Sequence, residues 1–196
     1  GILSNSTTNT AYAKVDDQVT LTITSDTELA GAPTVELHDV PLNPQNGSND
    51  KKNWEAVLTM DAGHIQTNEP MEISIKFSDI VGNAGTDVIA TTNNSSVTFD
   101  KTVPALSEVT ILTNNTNTAY AREGSIITLA FTAADQGGSA ENLLADPTVT
   151  ILSKGGDDIT VSGSGASWTA TYIAAAGDAE GTVPFTIEFS DYAGNS

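Results

Sequence analysis

The chain contains no cysteine, which excludes disulfide staples, thiolate metal sites and a cysteine nucleophile. Basic residues are scarce: 7 Lys and Arg stand against 25 Asp and Glu, for a formal net charge of −18. Phosphate contacts need clustered Lys and Arg, so nucleic acid is excluded as a partner, and direct binding to an anionic membrane surface with it. No apolar run approaches the roughly 20 residues that cross a bilayer as a helix. Aromatic residues are few, at 6% of the 196, yet 38% of the chain is hydrophobic, enough for a core. No secretory leader is visible, and the chain starts Gly1-Ile2-Leu3 without a Met. It is therefore expected to be a piece of something longer.

What is present is a repeat. Asn9-Thr10-Ala11-Tyr12-Ala13-Lys14 returns as Asn117-Thr118-Ala119-Tyr120-Ala121-Arg122. Pro33-Thr34-Val35 returns as Pro147-Thr148-Val149, Trp54 as Trp168, and Phe77-Ser78-Asp79-Ile80-Val81-Gly82-Asn83 as Phe189-Ser190-Asp191-Tyr192-Ala193-Gly194-Asn195. The order is kept and the spacing drifts by only a few residues, as loop insertions would cause. The chain reads as a tandem duplication of one unit.

Period-two alternation makes that unit all-β. Val19, Leu21 and Ile23 alternate with Thr20, Thr22 and Thr24, and Ile127, Leu129 and Phe131 do the same in the second copy. Trp54, Ala56, Leu58 and Met60 share one face of a strand; Ile73, Ile75 and Phe77 share another, matched by Phe185, Ile187 and Phe189. Two such sheets bury their apolar faces on each other, leaving Thr on the solvent side. Ala140–Leu144 offers the one helical turn. The segment Val97-Thr98-Phe99-Asp100-Lys101-Thr102-Val103-Pro104 reads as a final strand and a short linker, giving modules at 1–102 and 103–196. The second module stops at Asn195-Ser196, before any counterpart of that strand. Its penultimate strand is expected to show an open edge, able to accept a strand from another molecule.

The Thr-Ala-Tyr-Ala corner, the Pro-Thr-Val strand, the Phe-Ser-Asp-x-x-Gly-Asn turn and the Phe-Asp-Lys-Thr-Val-Pro junction together resemble bacterial immunoglobulin-like repeats. Repeats of that family are strung along large surface adhesins and other cell-envelope proteins. The resemblance covers both units. It implies two tandem immunoglobulin-like β-sandwich domains, the second lacking its last strand, that act as an extracellular stalk. It also implies neighbouring repeats of the same chain as partners and calcium as a stiffening cofactor.

Topology selects the carboxylates for such a cation. In a stacked pair of these sandwiches, Asp100 and the Asp16-Asp17 corner of the first module approach the Asp191 turn and the Asp135 loop of the second. Oxygen ligands gathered there are what calcium takes, 6–8 at a time. By the same geometry Asp79 and Asp26 lie at the free pole of module one and form a half-site. Taken singly, each Asp-x-x-Gly-Asn turn is also explained as a hairpin connection, with Asp and Asn bonding their own backbone.

The other polar and aromatic candidates are expected to be structural. Trp54 and Trp168 fall in phase with core residues, and Tyr12 and Tyr120 are expected to pin the corners. His38 is placed on the solvent face of a strand and His64 in a loop, with no Ser or Asp constellation for a nucleophilic triad. Non-enzymatic function is expected. The alternative is a carbohydrate- or protein-binding sandwich using its loops, chiefly the irregular stretch 40–53, whose counterpart is the stretch 153–165.

Overall fold

The structure, a computed structural model, describes residues 1–66, 69–135 and 141–196. It is all-β: among the described residues there is no α-helix, and one 3-10 turn at Gly156–Asp158. Of the helical turn expected at Ala140–Leu144, Ala140 lies outside the described residues, and Leu143 is instead bridged to Asp191. The chain divides into two compact units, Gly1–Lys101 and Thr102–Ser196.

The first unit contains β1 (Ile2–Ser4), β2 (Tyr12–Ala13), β3 (Gln18–Thr24), β4 (Thr34–Leu37), β5 (Val40–Leu42), β6 (Asn53–Thr59), β7 (Ile73–Lys76) and β8 (Thr98–Phe99). Antiparallel sheets form in the orders β1-β3-β6 and β5-β4-β7, while β2 and β8 make a short parallel pair. The alternating faces meet in one core that joins Ile2, Val19, Leu21, Ala56 and Leu58 to Val35, Leu37, Ile75, Val97 and Phe99. Each large apolar side chain buried there contributes about 1.5–3 kcal/mol relative to exposure.

The second unit contains β9 (Ala105–Thr113), β10 (Ile126–Ala134), β11 (Thr148–Ile151), β12 (Thr160–Ser164), β13 (Ser167–Ile173) and β14 (Phe185–Glu188). Its sheets run β12-β13-β10-β9 and β11-β14. Ile127, Leu129 and Phe131 pack with Val149, Ile151, Trp168 and Tyr172 in its core.

The repeat extends to register. Leu21 faces Ala56 and Ile23 faces Trp54 across β3 and β6; Leu129 faces Ala170 and Phe131 faces Trp168 across β10 and β13. Likewise Val35 faces Ile75 and Val149 faces Ile187. A slip of one residue would turn each apolar set to solvent, so the same buried pattern enforces the same pairing twice.

The units differ in their edge strands. The stretch 40–53, read as an irregular loop, carries β5 paired to β4, and Gln45 bridges to Glu55. Its counterpart carries β12, which joins the opposite sheet by pairing with β13.

Candidate functional site

The acidic turns are built alike in the two units. Asp79 Oδ1 accepts the N–H of Val81 at 3.0 Å and of Asn83 at 2.8 Å, while Oδ2 accepts Asn83 Nδ2 at 2.8 Å. Asp191 accepts Asn195 N on Oδ1 and Asn195 Nδ2 on Oδ2, both at 2.9 Å. Gly82 and Gly194 close the turns at φ 93° and 85°, which glycine adopts without a Cβ clash. Asn83 donates to Asp79 from both side chain and backbone, and this holds the Asp79 carboxyl below the ordinary aspartate value. Asp191 is fully buried.

Asp26 and Asp79 line one cavity of about 610 Å3 in the first unit, with Leu21, Ile23 and Phe77 among its apolar walls. Asp26 is exposed and is fixed through its backbone oxygen, which accepts Lys52 Nζ at 3.0 Å. The Asp16-Asp17 corner has a local function. Asp17 Oδ2 accepts the Lys14 N–H at 3.0 Å, and in the second unit Ser125 Oγ accepts the Arg122 N–H at the same distance. The corner thus needs an oxygen and not a charge. Asp16 stands at φ 74°, where the second unit has Gly124 at φ 78°. Asp100 follows β8 inside the first unit, and its N–H donates to Ala13 O at 2.9 Å. Asp135 follows β10 and is half-buried.

These positions bring Asp26 and Asp79 to one cavity, and Asp17 and Asp100 to the same corner strand. Among the described residues, no group of three or more His, Asp or Glu side chains is arranged to hold a metal ion. Both oxygens of Asp79 and of Asp191 accept N–H donors from within their own turns.

Two expectations need correction. His38 is not on the solvent face of a strand: with Asp39 it forms the tight β4–β5 turn, at φ 54° and 62°. That turn rotates its ring to within 6.3 Å of the Phe99 ring and 6.4 Å of the His64 ring, edge to face, and Nε2 hydrogen bonds Ile65 O. Tyr120 does not pin its corner, being 70% exposed, whereas Tyr12 is half-buried.

The tryptophans also differ in detail. Trp168 is buried and donates Nε1–H to Gly165 O at 2.9 Å; Trp54 is half-buried, and its buried Nε1 has no partner among the described residues.

Three structurally prominent groups escaped the sequence reading. Asp50 Oδ1 accepts the N–H of Lys52 at 2.8 Å and of Asn53 at 3.0 Å, and these backbone bonds hold its carboxyl far below the usual range. An Asp two and three residues before the donors, at the start of a strand, is the readable signal of such a cap. Asp178 accepts the Tyr172 hydroxyl at 2.9 Å; burial, then this carboxylate, raises the Tyr172 pKa. Lys101 Nζ donates to Ala62 O at 2.9 Å and His64 O at 2.8 Å, tying the end of the first unit to the His64 loop.

In comparisons with known proteins, no family model, no curated protein and no solved structure matches the chain.

Proposed function

We propose that the chain is a pair of immunoglobulin-like β-sandwich modules serving as structural spacer repeats of a large extracellular surface protein of bacterial adhesin type. The observation that carries this reading is which features recur. The opposed pairs Ile23–Trp54 and Phe131–Trp168 recur, as do the turns Asp79–Asn83 and Asp191–Asn195 and the corners closed by Asp17 and Ser125. All of these are scaffold. Among the segments that differ, β5 and β12 are edges. Duplication of packing is what a spacer requires, since each added unit adds length without adding chemistry.

On this reading the chain is not an enzyme, its partners are neighbouring repeats, and the net charge of −18 keeps adjacent fibres apart. Calcium enters as a cation that the acidic chain attracts, and no step of the reading passes through it. The alternative, a loop-based binding module, draws less support, because the stretch it relies on is held by β5 and by the Gln45–Glu55 bridge.

Small-angle scattering of the 196-residue chain tests the reading. One compact body of this length has a radius of gyration of about 16 Å. A spacer pair gives a clearly larger value, and a value of about 16 Å would contradict it.

A further inference from the structure

The loop between β5 and β6 carries the sole Asn-Gly step of the chain, Asn46-Gly47. At its base Gln45 and Glu55 exchange backbone bonds of 2.8 and 2.9 Å, so the step lies just inside a fixed pair.

The Asn46 amide is loosely held. Its Nδ2 donates to Asp50 Oδ1 at 3.4 Å, and its Oδ1 has no hydrogen-bond partner among the described residues. Other amides are gripped more closely: Asn83 Nδ2 lies 2.8 Å from Asp79 Oδ2, and Asn53 Nδ2 lies 2.6 Å from Asp50 Oδ2. Gly47 is exposed, and nothing lies within 4 Å of where a Cβ would stand. Turning the Asn46 side chain towards the Gly47 nitrogen therefore costs one long hydrogen bond, and Gly47 offers no side chain to shield that nitrogen.

Asp50 organises what surrounds the step. Its Oδ1 also accepts the N–H of Lys52 at 2.8 Å and of Asn53 at 3.0 Å, closing the loop onto the start of β6. Within this closure Asn49 and Lys51 stand at φ 55° and 52°, a region costly to residues that carry a Cβ. The carbonyls of Lys51 and Lys52 in turn accept the N–H groups of Leu29 and Ser25, each at 3.0 Å. One carboxylate thus anchors two stretches of the first unit.

We propose that Asn46 is a site of spontaneous deamidation that loosens this anchor as the protein ages. The Gly47 nitrogen attacks Asn46 Cγ and the new N–C bond closes a succinimide ring. The Cγ–Nδ2 bond breaks, and Nδ2 leaves as ammonia with the proton from the Gly47 N–H. Water then opens the ring at either carbonyl, leaving aspartate or isoaspartate at position 46; water is the only other reactant. The product sets a carboxylate where a donor stood 3.4 Å from Asp50 Oδ1, and adds one negative charge to the −18. Like charges so placed repel, so the Asp50 closure opens and the turn at 49–51 relaxes. Isoaspartate also lengthens the backbone beside the Gln45–Glu55 pair and acts in the same direction.

The test ages the full chain at mildly alkaline pH and follows each asparagine by peptide mapping, with isoaspartyl methyltransferase labelling to detect isoaspartate. Asn46 is expected to convert faster than every other asparagine, with the mass change of an NH-to-O exchange. Gly47→Ala, at a position with open space for the added Cβ, should slow conversion several-fold and leave the fresh protein's melting temperature unchanged. Asn46→Asp should melt lower than the parent chain, and by less at high salt, where the repulsion is screened. Asn46 surviving while other asparagines convert, equal conversion in Gly47→Ala, or an Asn46→Asp chain that melts like the parent would overturn the proposal.

Discussion

At the scale of single residues, the Asp-x-x-Gly-Asn turns show how a carboxylate can be structural. Asp79 sits below its ordinary pKa because Asn83 donates to it twice. A depressed folded-state value adds stability that is present above the unfolded value of about 3.9 and is lost as pH falls through the folded value. Asp79→Asn is therefore expected to lower the melting temperature of the first unit at pH 7. That difference should close as pH drops below about 4, which melts of the fragment 1–101 across pH would show. In the core, Phe99 is 1% exposed, and Phe99→Ala should cost about 3–5 kcal/mol in urea unfolding of the same fragment. The aspartates of the turns were legible because Asp, Gly and Asn occur at the spacing of a hairpin connection. His38 was not, because a two-residue turn with positive φ at both His38 and Asp39 carries no glycine to announce it. Tyr120 was not, because among the described residues no strand pairs with its corner as β8 pairs with Tyr12.

At the scale of elements, the long strands were legible and the edges were not. Alternation in β3, β6, β10 and β13 fixes which residues face inward, and opposed apolar faces then fix the register. Nothing local to 40–42 or 160–164 states which sheet an edge strand will join, because either neighbour offers the same backbone bonds. Gly163 shows what holds β12 to β13. It faces Trp168, its φ is 154°, and an added Cβ would stand 2.4 Å from Ser167 O and 2.8 Å from Trp168 Cα. Both obstacles are near-rigid backbone. Gly163→Ala should cost about 1–3 kcal/mol and speed hydrogen exchange in 160–164 while leaving β10 protected. Unchanged exchange across β12 would show that this contact does not hold the edge.

At the scale of the whole molecule, charge and repetition set the behaviour. A net charge of −18 disfavours the compact state through self-repulsion, which salt screens over a Debye length of about 8 Å at physiological strength. Melting temperatures should rise as sodium chloride is raised from low levels. The repeated motifs were legible in their order; that β5 and β12 join different sheets shows only in the pairing.

One β scaffold copied to make length should unfold one copy at a time. Pulling single molecules of the chain from end to end tests it most directly. Two separate unfolding events are predicted, each releasing the contour of one unit, about 35 nm for roughly 100 residues at about 3.5 Å each. A single cooperative event spanning all 196 residues, or extension without resolved events, would contradict it.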